Sequence, residues 1–349
     1  MIDEFLKKLP KNVDGALIVS PENRQYFTGF NASDGFLFAT KNGSIFLTDS
    51  RYIEAAKDKI NCCEVEEQKI GLIEYAKRLG IKALAVEADR LTVTQLKNLR
   101  KALRGIRITT VGTDKTIDSF RAIKTDEEIK NICKAQRIAE AALEHILGFI
   151  KAGVTEKEIA LELDHYMLSH GAQALSFETI AVSGANTSKP HGVPTDKRIE
   201  DGDFVTMDYG AVVNGYHSDM TRTVAVGHIG DEQKKVYDTV LKAQLASLGV
   251  LRSGLKCFDG DKAARDVIIE AGYGEFFRHS TGHGVGIEIH EKPNLSPKSA
   301  ATLHSGNIVT VEPGIYIPGK FGVRIEDMAL ITENGCKNLT NAPKELVIL

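Results

Sequence analysis

The stretch Thr206–Val224, TMDYGAVVNGYHSDMTRTV, decides how the chain around it is read. Two apolar-rich runs meet at Asn214-Gly215, a dipeptide that favours a two-residue type I′ turn because both residues accept positive φ. A loop of that length sets Val213 against Tyr216 and, in the same register, Asp208 against Thr221. Asp219 then lies on the diagonal from Asp208, on the same face and about 7–8 Å away. Two carboxylates that close repel and raise each other's pKa, and a cation between them removes the conflict. Taken alone, the stretch is equally a solvated hairpin with two surface aspartates.

Four further segments bear on the choice. KPHGVP, with His191, precedes the hairpin; HSTGHGVGIEIHE, with His279, His283 and His290, follows it. IVTVEPGIY then carries Glu312, and GVRIEDMAL carries Arg324 and Glu326. A glutamate inside an apolar strand is costly unless it is paired or bound to a metal. If the segments flanking PGKFG pair through an odd-length loop, the spacing of fourteen residues puts Glu312 and Glu326 on one face. Buried without cations, four carboxylates would take up protons. Two divalent cations balance their charge. Oxygen-dominated ligation with one imidazole favours manganese, with cobalt or iron next, over a thiolate-type zinc site. The glycines Gly282, Gly284 and Gly286 read as permitting close backbone approach, not as a phosphate cradle.

At 349 residues the chain has room for two domains or one large one, and its 42% hydrophobic share suits a soluble globular core. A net charge of −3 offers no basic footprint for nucleic acid. No apolar run approaches a membrane span, and the start, MIDEFLKKLP, lacks a secretory segment, so a cytoplasmic protein is expected. Five cysteines without CxxC spacing read as reduced structural thiols.

Residues 14–112 alternate short β-type runs with helical ones, which argues for a small α/β domain. That region has no GxGxxG or phosphate loop, and its segments NRQYFTGF (Asn23–Phe30) and TDSRY (Thr48–Tyr52) read as packing and turn chemistry. Thr113–Ala122 reads as a linker, with the boundary near 120: a first domain over 1–120 and a second over 121–349. Capping boxes at Thr125/Glu128 and Thr155/Glu158 open two helices. The helices and hairpins beyond them are segregated into runs, so the second domain reads as α+β with a mainly antiparallel sheet.

The set Asp208, Asp219, His283, Glu312 and Glu326 resembles the five-ligand dinuclear site of the pita-bread metallopeptidases. GHGVGIEIHE and EPGIYIP…GVRIED resemble that superfamily's proline-specific branch, aminopeptidase P and prolidase. NRQYFTGF with TDSRY is similar to its creatinase-like N-terminal domain, so the resemblance spans essentially the whole chain. It implies a pita-bread α+β domain preceded by a small α/β domain. Asp208 would chelate one metal, Asp219 and Glu326 would bridge both, and His283 and Glu312 would complete the other shell. Manganese is the first expectation, with cobalt, iron or zinc as alternatives. A hydroxide between the metals would attack the scissile carbonyl, with Glu312 carrying its proton to the leaving nitrogen. By the same resemblance, His191 and His290 would hold substrate and stabilise the tetrahedral intermediate, and His279 and Arg324 would line the leaving-group side. The implied substrates are small peptides with proline in second position, cleaved by a homodimer whose N-terminal domain narrows access. An Xaa-Pro aminopeptidase is preferred to a prolidase limited to dipeptides, because nothing marks a dedicated carboxylate clamp. Creatine-type hydrolysis and a non-catalytic binding protein are the rival classes, and both go with loss of ligands that this chain retains. Methionine aminopeptidase is disfavoured by the extra N-terminal domain and by VRIED.

Overall fold

Alternating strands and helices fold Met1–Arg121 into one compact unit, and Ala122–Leu349 forms a second. The molecule is described here by a computed structural model that covers all residues, Met1–Leu349. In the first unit the strands are β1 (Gly15–Ile18), β2 (Phe36–Thr40), β3 (Gly43–Thr48), β4 (Glu64–Glu67), β5 (Ala83–Val86) and β6 (Arg107–Thr109). They form one mixed sheet in the order β4-β3-β2-β1-β5-β6. Pairs β1/β5, β3/β4 and β5/β6 are parallel, and β1/β2 and β2/β3 antiparallel. Leu17, Phe38, Leu47 and Leu84 from the sheet pack with Tyr75, Ala76 and Leu103 from the helical segments.

Two local readings change. NRQYFTGF is mostly helix, Pro21–Thr28, capped by the Ser20 hydroxyl on the Asn23 N–H and closed by Gly29 at φ 70°. Its buried Arg24 donates to the Ala32 and Gly35 carbonyls at 2.7 Å each, so the segment does pack. The expected linker Thr113–Ala122 is a helix. Its composition is a poor guide because Thr, Asp and Ser are weak helix formers; burial of Ile117 and Arg121, with Arg121 donating to Asn23 Oδ1 at 2.8 Å, holds it in place.

The second unit opens with helices Asp126–Leu147 and Glu156–Ser169, each with the capping box read from the sequence. Its strands are β7 (Ala174–Leu175), β8 (Ile180–Ser183), β9 (Phe204–Tyr209), β10 (Ala211–Val213), β11 (Tyr216–His217), β12 (Met220–Ala225), β13 (Gly282–Gly284), β14 (Glu291–Leu295), β15 (Ile308–Val311), β16 (Gly314–Ile317), β17 (Phe321–Arg324), β18 (Asp327–Ile331) and β19 (Cys336–Asn338). Every named strand pair in this unit is antiparallel. The fold class is therefore α+β, as read. Met207, Tyr209, Met220 and Val224 pack against the first two helices. Phe204, Ala225 and Val323 pack against helices Asp231–Val250 and Cys257–Glu270.

The hairpin keeps the expected register, Val213 against Tyr216 and Asp208 against Thr221, with Asn214 at φ 50° and Gly215 at φ 78°. It is broken at Gly210, where a Cβ would stand 2.0 Å from the Ser218 carbonyl oxygen. The ribbon divides there between two sheets, and the close approach of the Ser218 carbonyl leaves room only for glycine. Beneath it, buried Arg222 donates to Asp327 Oδ1 and to the Glu326, Ala342 and Pro343 carbonyls, tying the C-terminal segment to β12 and β18. No helix is long and apolar enough to cross a membrane.

Candidate metal centre

Five elements of the second unit deliver the acidic and imidazole groups. Asp208 rides on β9, Asp219 on the β11–β12 junction and His283 at the centre of β13. Val311 pairs with Asp327 and Gly314 with Arg324, so one register brackets Glu312 and Glu326 across the two strand junctions. His283 approaches because Gly282 and Gly284 carry no side chain: a Cβ on Gly282 would stand 1.9 Å from the Thr310 carbonyl oxygen, and one on Gly284 2.5 Å from that of Lys292. The glycine run thus serves backbone approach. All five groups line one cavity of about 560 Å³, together with His191, His279, His290 and Arg324.

His283 Nδ1 lies 3.1 Å from the Gly284 carbonyl, which can only accept, so Nδ1 carries the ring proton. Burial pulls this imidazole down to about 4, so it is neutral and turns the lone pair of Nε2 outward. That lone pair faces Asp219 Oδ2 and Glu312 Oε1, each at 3.5 Å. Ligand atoms of Asp219, His283 and Glu326 lie within 4.8 Å of one another. Burial, then the neighbouring carboxylates, push Asp219 and Glu326 well above the usual carboxylate range. Burial likewise lifts Glu312 to about 8. Asp208 Oδ1 is buried without a hydrogen-bond partner. A lone pair, a carboxylate oxygen without a partner and three carboxyls with raised pKa values form a donor set of the kind that fits a divalent cation. Oxygen donors with one neutral imidazole fit hard divalent ions.

The remaining predicted residues divide into two groups. His191 and His290 are exposed on the cavity wall, the His290 ring 4.4 Å from that of His283. Arg324 is buried and heavily engaged. It donates to Asp208 Oδ2 at 2.6 Å, Thr221 Oγ at 3.0 Å, Tyr316 Oη at 2.9 Å and the Pro190 carbonyl at 3.2 Å. His279 gives its Nδ1 proton to the Ser280 carbonyl at 2.8 Å, and Nε2 sits 2.9 Å from Tyr316 Oη. Burial, then Arg324, lowers its pKa to about 4, so neutral Nε2 accepts the tyrosine proton. A continuous chain therefore runs His279–Tyr316–Arg324–Asp208.

Sequence reasoning missed Tyr316 and Thr221. Thr221 donates to Glu326 Oε2 at 2.6 Å while accepting from Arg324 Nε, and its place opposite Asp208 was the available signal. Tyr316, in an apolar strand, reads as core.

Residues 130–333 match the model of metallopeptidase family M24, and residues 5–123 that of the creatinase/prolidase N-terminal domain. An Xaa-Pro dipeptidase of Pyrococcus horikoshii is 39% identical over 349 residues, covering 99% of this chain and 97% of the relative. The structure of an Xaa-Pro dipeptidase from Bacillus anthracis superposes with a TM-score of 0.95 at 42% identity, covering 100% of both chains. That of an X-Pro aminopeptidase from Thermotoga maritima gives 0.90 at 36%, covering 96% of this chain and 98% of the other.

Proposed function

The chain belongs to metallopeptidase family M24, and from that premise we propose that it is an exopeptidase cleaving the bond between a peptide's first residue and a proline in second position. Two divalent ions would be held by Asp208, Asp219, His283, Glu312 and Glu326, manganese being the first candidate. The observation that carries this reading is the Nε2 lone pair of His283, 3.5 Å from two carboxylates in a cavity large enough for a short peptide. When bound, the ions supply Lewis acidity, polarising the scissile carbonyl and making water a competent nucleophile near neutral pH.

The chain's own groups do the rest. Glu312 takes the proton of the attacking water and passes it to the departing proline nitrogen. His191 and His290, exposed on the wall, orient the substrate and donate to the oxygen on which negative charge develops. Arg324 holds Asp208 in place through Nη2. The Xaa-Pro bond suits such a site, because its nitrogen bears no hydrogen that a protein acceptor could use for alignment.

Within this class we favour an aminopeptidase acting on Xaa-Pro-Yaa peptides. Arg324, the cation best suited to clamp a terminal proline carboxylate, already serves Asp208, Tyr316, Thr221 and Pro190. The second reading, a prolidase restricted to dipeptides, is favoured by the names of two of the three relatives above, the third being named an X-Pro aminopeptidase. The test compares kcat/KM for an Xaa-Pro dipeptide with that for its extended, C-terminally amidated counterpart. Little difference is expected. A loss of orders of magnitude on the extended substrate would make the enzyme a prolidase.

A further inference from the structure

Glu156, the first residue of helix Glu156–Ser169, is fully buried and belongs to none of the groups described above. Its charge is met by hydrogen-bond donors from one loop. Oε1 accepts from the Ser183 N–H at 2.7 Å, the Ser183 hydroxyl at 3.0 Å and Asn186 Nδ2 at 3.0 Å. Oε2 accepts from the Thr195 N–H at 2.9 Å, the Thr195 hydroxyl at 2.6 Å and, more weakly, Asn186 Nδ2 at 3.3 Å. Hydrogen bonds to an ionised acceptor are the stronger kind, and burial leaves no water to replace them.

The donors sit at the two ends of a single excursion of the chain. Ser183 ends β8, Thr195 begins the return, and Pro190, His191, Gly192, Val193 and Pro194 between them line the cavity. One buried carboxylate thus cinches both ends of the loop that carries His191. The five candidate metal ligands lie on other elements, between Asp208 and Glu326. We propose that Glu156 is a positioning residue for the peptidase reaction: it fixes the Pro190–Pro194 wall and so aims His191 at the substrate, making no contact of its own with the metal ligands. This rests on the function proposed above and adds a residue that touches neither substrate nor metal.

Glu156→Gln is the direct test. Whichever oxygen becomes the NH2 group, one backbone N–H, that of Ser183 or of Thr195, loses its acceptor and cannot rotate away. Thr195→Val, on an exposed residue, removes only one hydroxyl and serves if the first variant folds poorly. Hydrogen exchange should rise in residues 184–196, and at Gly322, whose N–H donates to the Thr187 hydroxyl of that loop, and stay unchanged in 204–225 and the rest of 308–331, with manganese content at the wild-type level. On an Xaa-Pro substrate kcat/KM should fall about 10²-fold for Glu156→Gln, the scale expected for a misplaced catalytic wall, and less for Thr195→Val. Combined with His191→Ala, the Glu156 change should cost little more, because its effect passes through His191. Fully multiplicative losses, reduced metal content, or exchange spreading into the metal-bearing strands would overturn the assignment. A wild-type protein inactive on every Xaa-Pro peptide would instead sink the peptidase reading, and the positioning role with it, while exchange alone would still decide whether Glu156 clasps the loop.

Discussion

His283 meets Asp219 and Glu312 with a lone pair, and that arrangement repels unless a cation or a proton stands among the three. In metal-free protein the carboxyls supply protons, which sets a pH dependence of stability. Asp219, Glu312 and Glu326 have folded pKa values raised above their unfolded values of 3.8 or 4.5, so the folded state binds more protons and stability falls as pH rises towards Glu312's value of about 8. His279 and His283 have the opposite sign. Their folded values of about 4 lie below 6.5, so they cost stability only as pH falls below 6.5. Between 6.5 and about 8 the histidines no longer contribute, and the three carboxyls outweigh the single Cys62 thiol, which is lowered to about 7 and acts in the opposite sense. The melting temperature of metal-free protein should therefore drop across that window, and the gain on adding manganese should grow. A flat or rising profile without metal would contradict the assignment.

Two substitutions separate ligand from wall at the same scale. Glu312→Gln removes a ligand charge and the proton carrier, whereas His290→Ala alters a side chain on the cavity surface. Each should reduce kcat by about 10²-fold or more, but only the first should weaken manganese retention. Equal metal content in both variants would count against the roles given to them.

At the scale of elements, the centre depends on strands that pass closer than side chains allow. Alanine at Gly282 would drive its Cβ into the Thr310 carbonyl and push β13, with His283, away from β15. A loss of about 1–3 kcal/mol is expected from such overpacking, together with weaker metal retention. Gly249→Ala is the control: that glycine is exposed near the end of helix Asp231–Val250 with nothing within 4 Å of the added carbon, and should gain up to about 1 kcal/mol. Calorimetry on the two variants decides between them.

The same elements explain what was legible. Asn214-Gly215 admits one tight turn, so the pairing of Asp208 with Thr221 could be counted out from the sequence. The fourteen-residue spacing of Glu312 and Glu326 proved to be one register running through β15/β18 and β16/β17. Helix Thr113–Ala122 was not legible, because tertiary burial of Ile117 outweighs weak local propensity. Nor was β4, an edge strand of sequence EVEE with no fully buried residue. Tyr316 stayed hidden because only its hydroxyl, between His279 and Arg324, departs from a core pattern.

Over the whole molecule, the candidate ligands come from separate elements spread from Asp208 to Glu326, all in the second unit. Metal bound there would cross-link distant parts of that unit, so occupancy and folding stability are linked. The central claim is that these five side chains hold the ions on which hydrolysis depends. Its most direct test is elemental analysis beside turnover, on protein stripped by chelation and then reconstituted with excess manganese. Reconstituted protein should hold about two ions per chain, as a two-metal site requires, and activity on an Xaa-Pro-Yaa peptide should return in step with that content. Full turnover by protein shown to be metal-free would contradict the account.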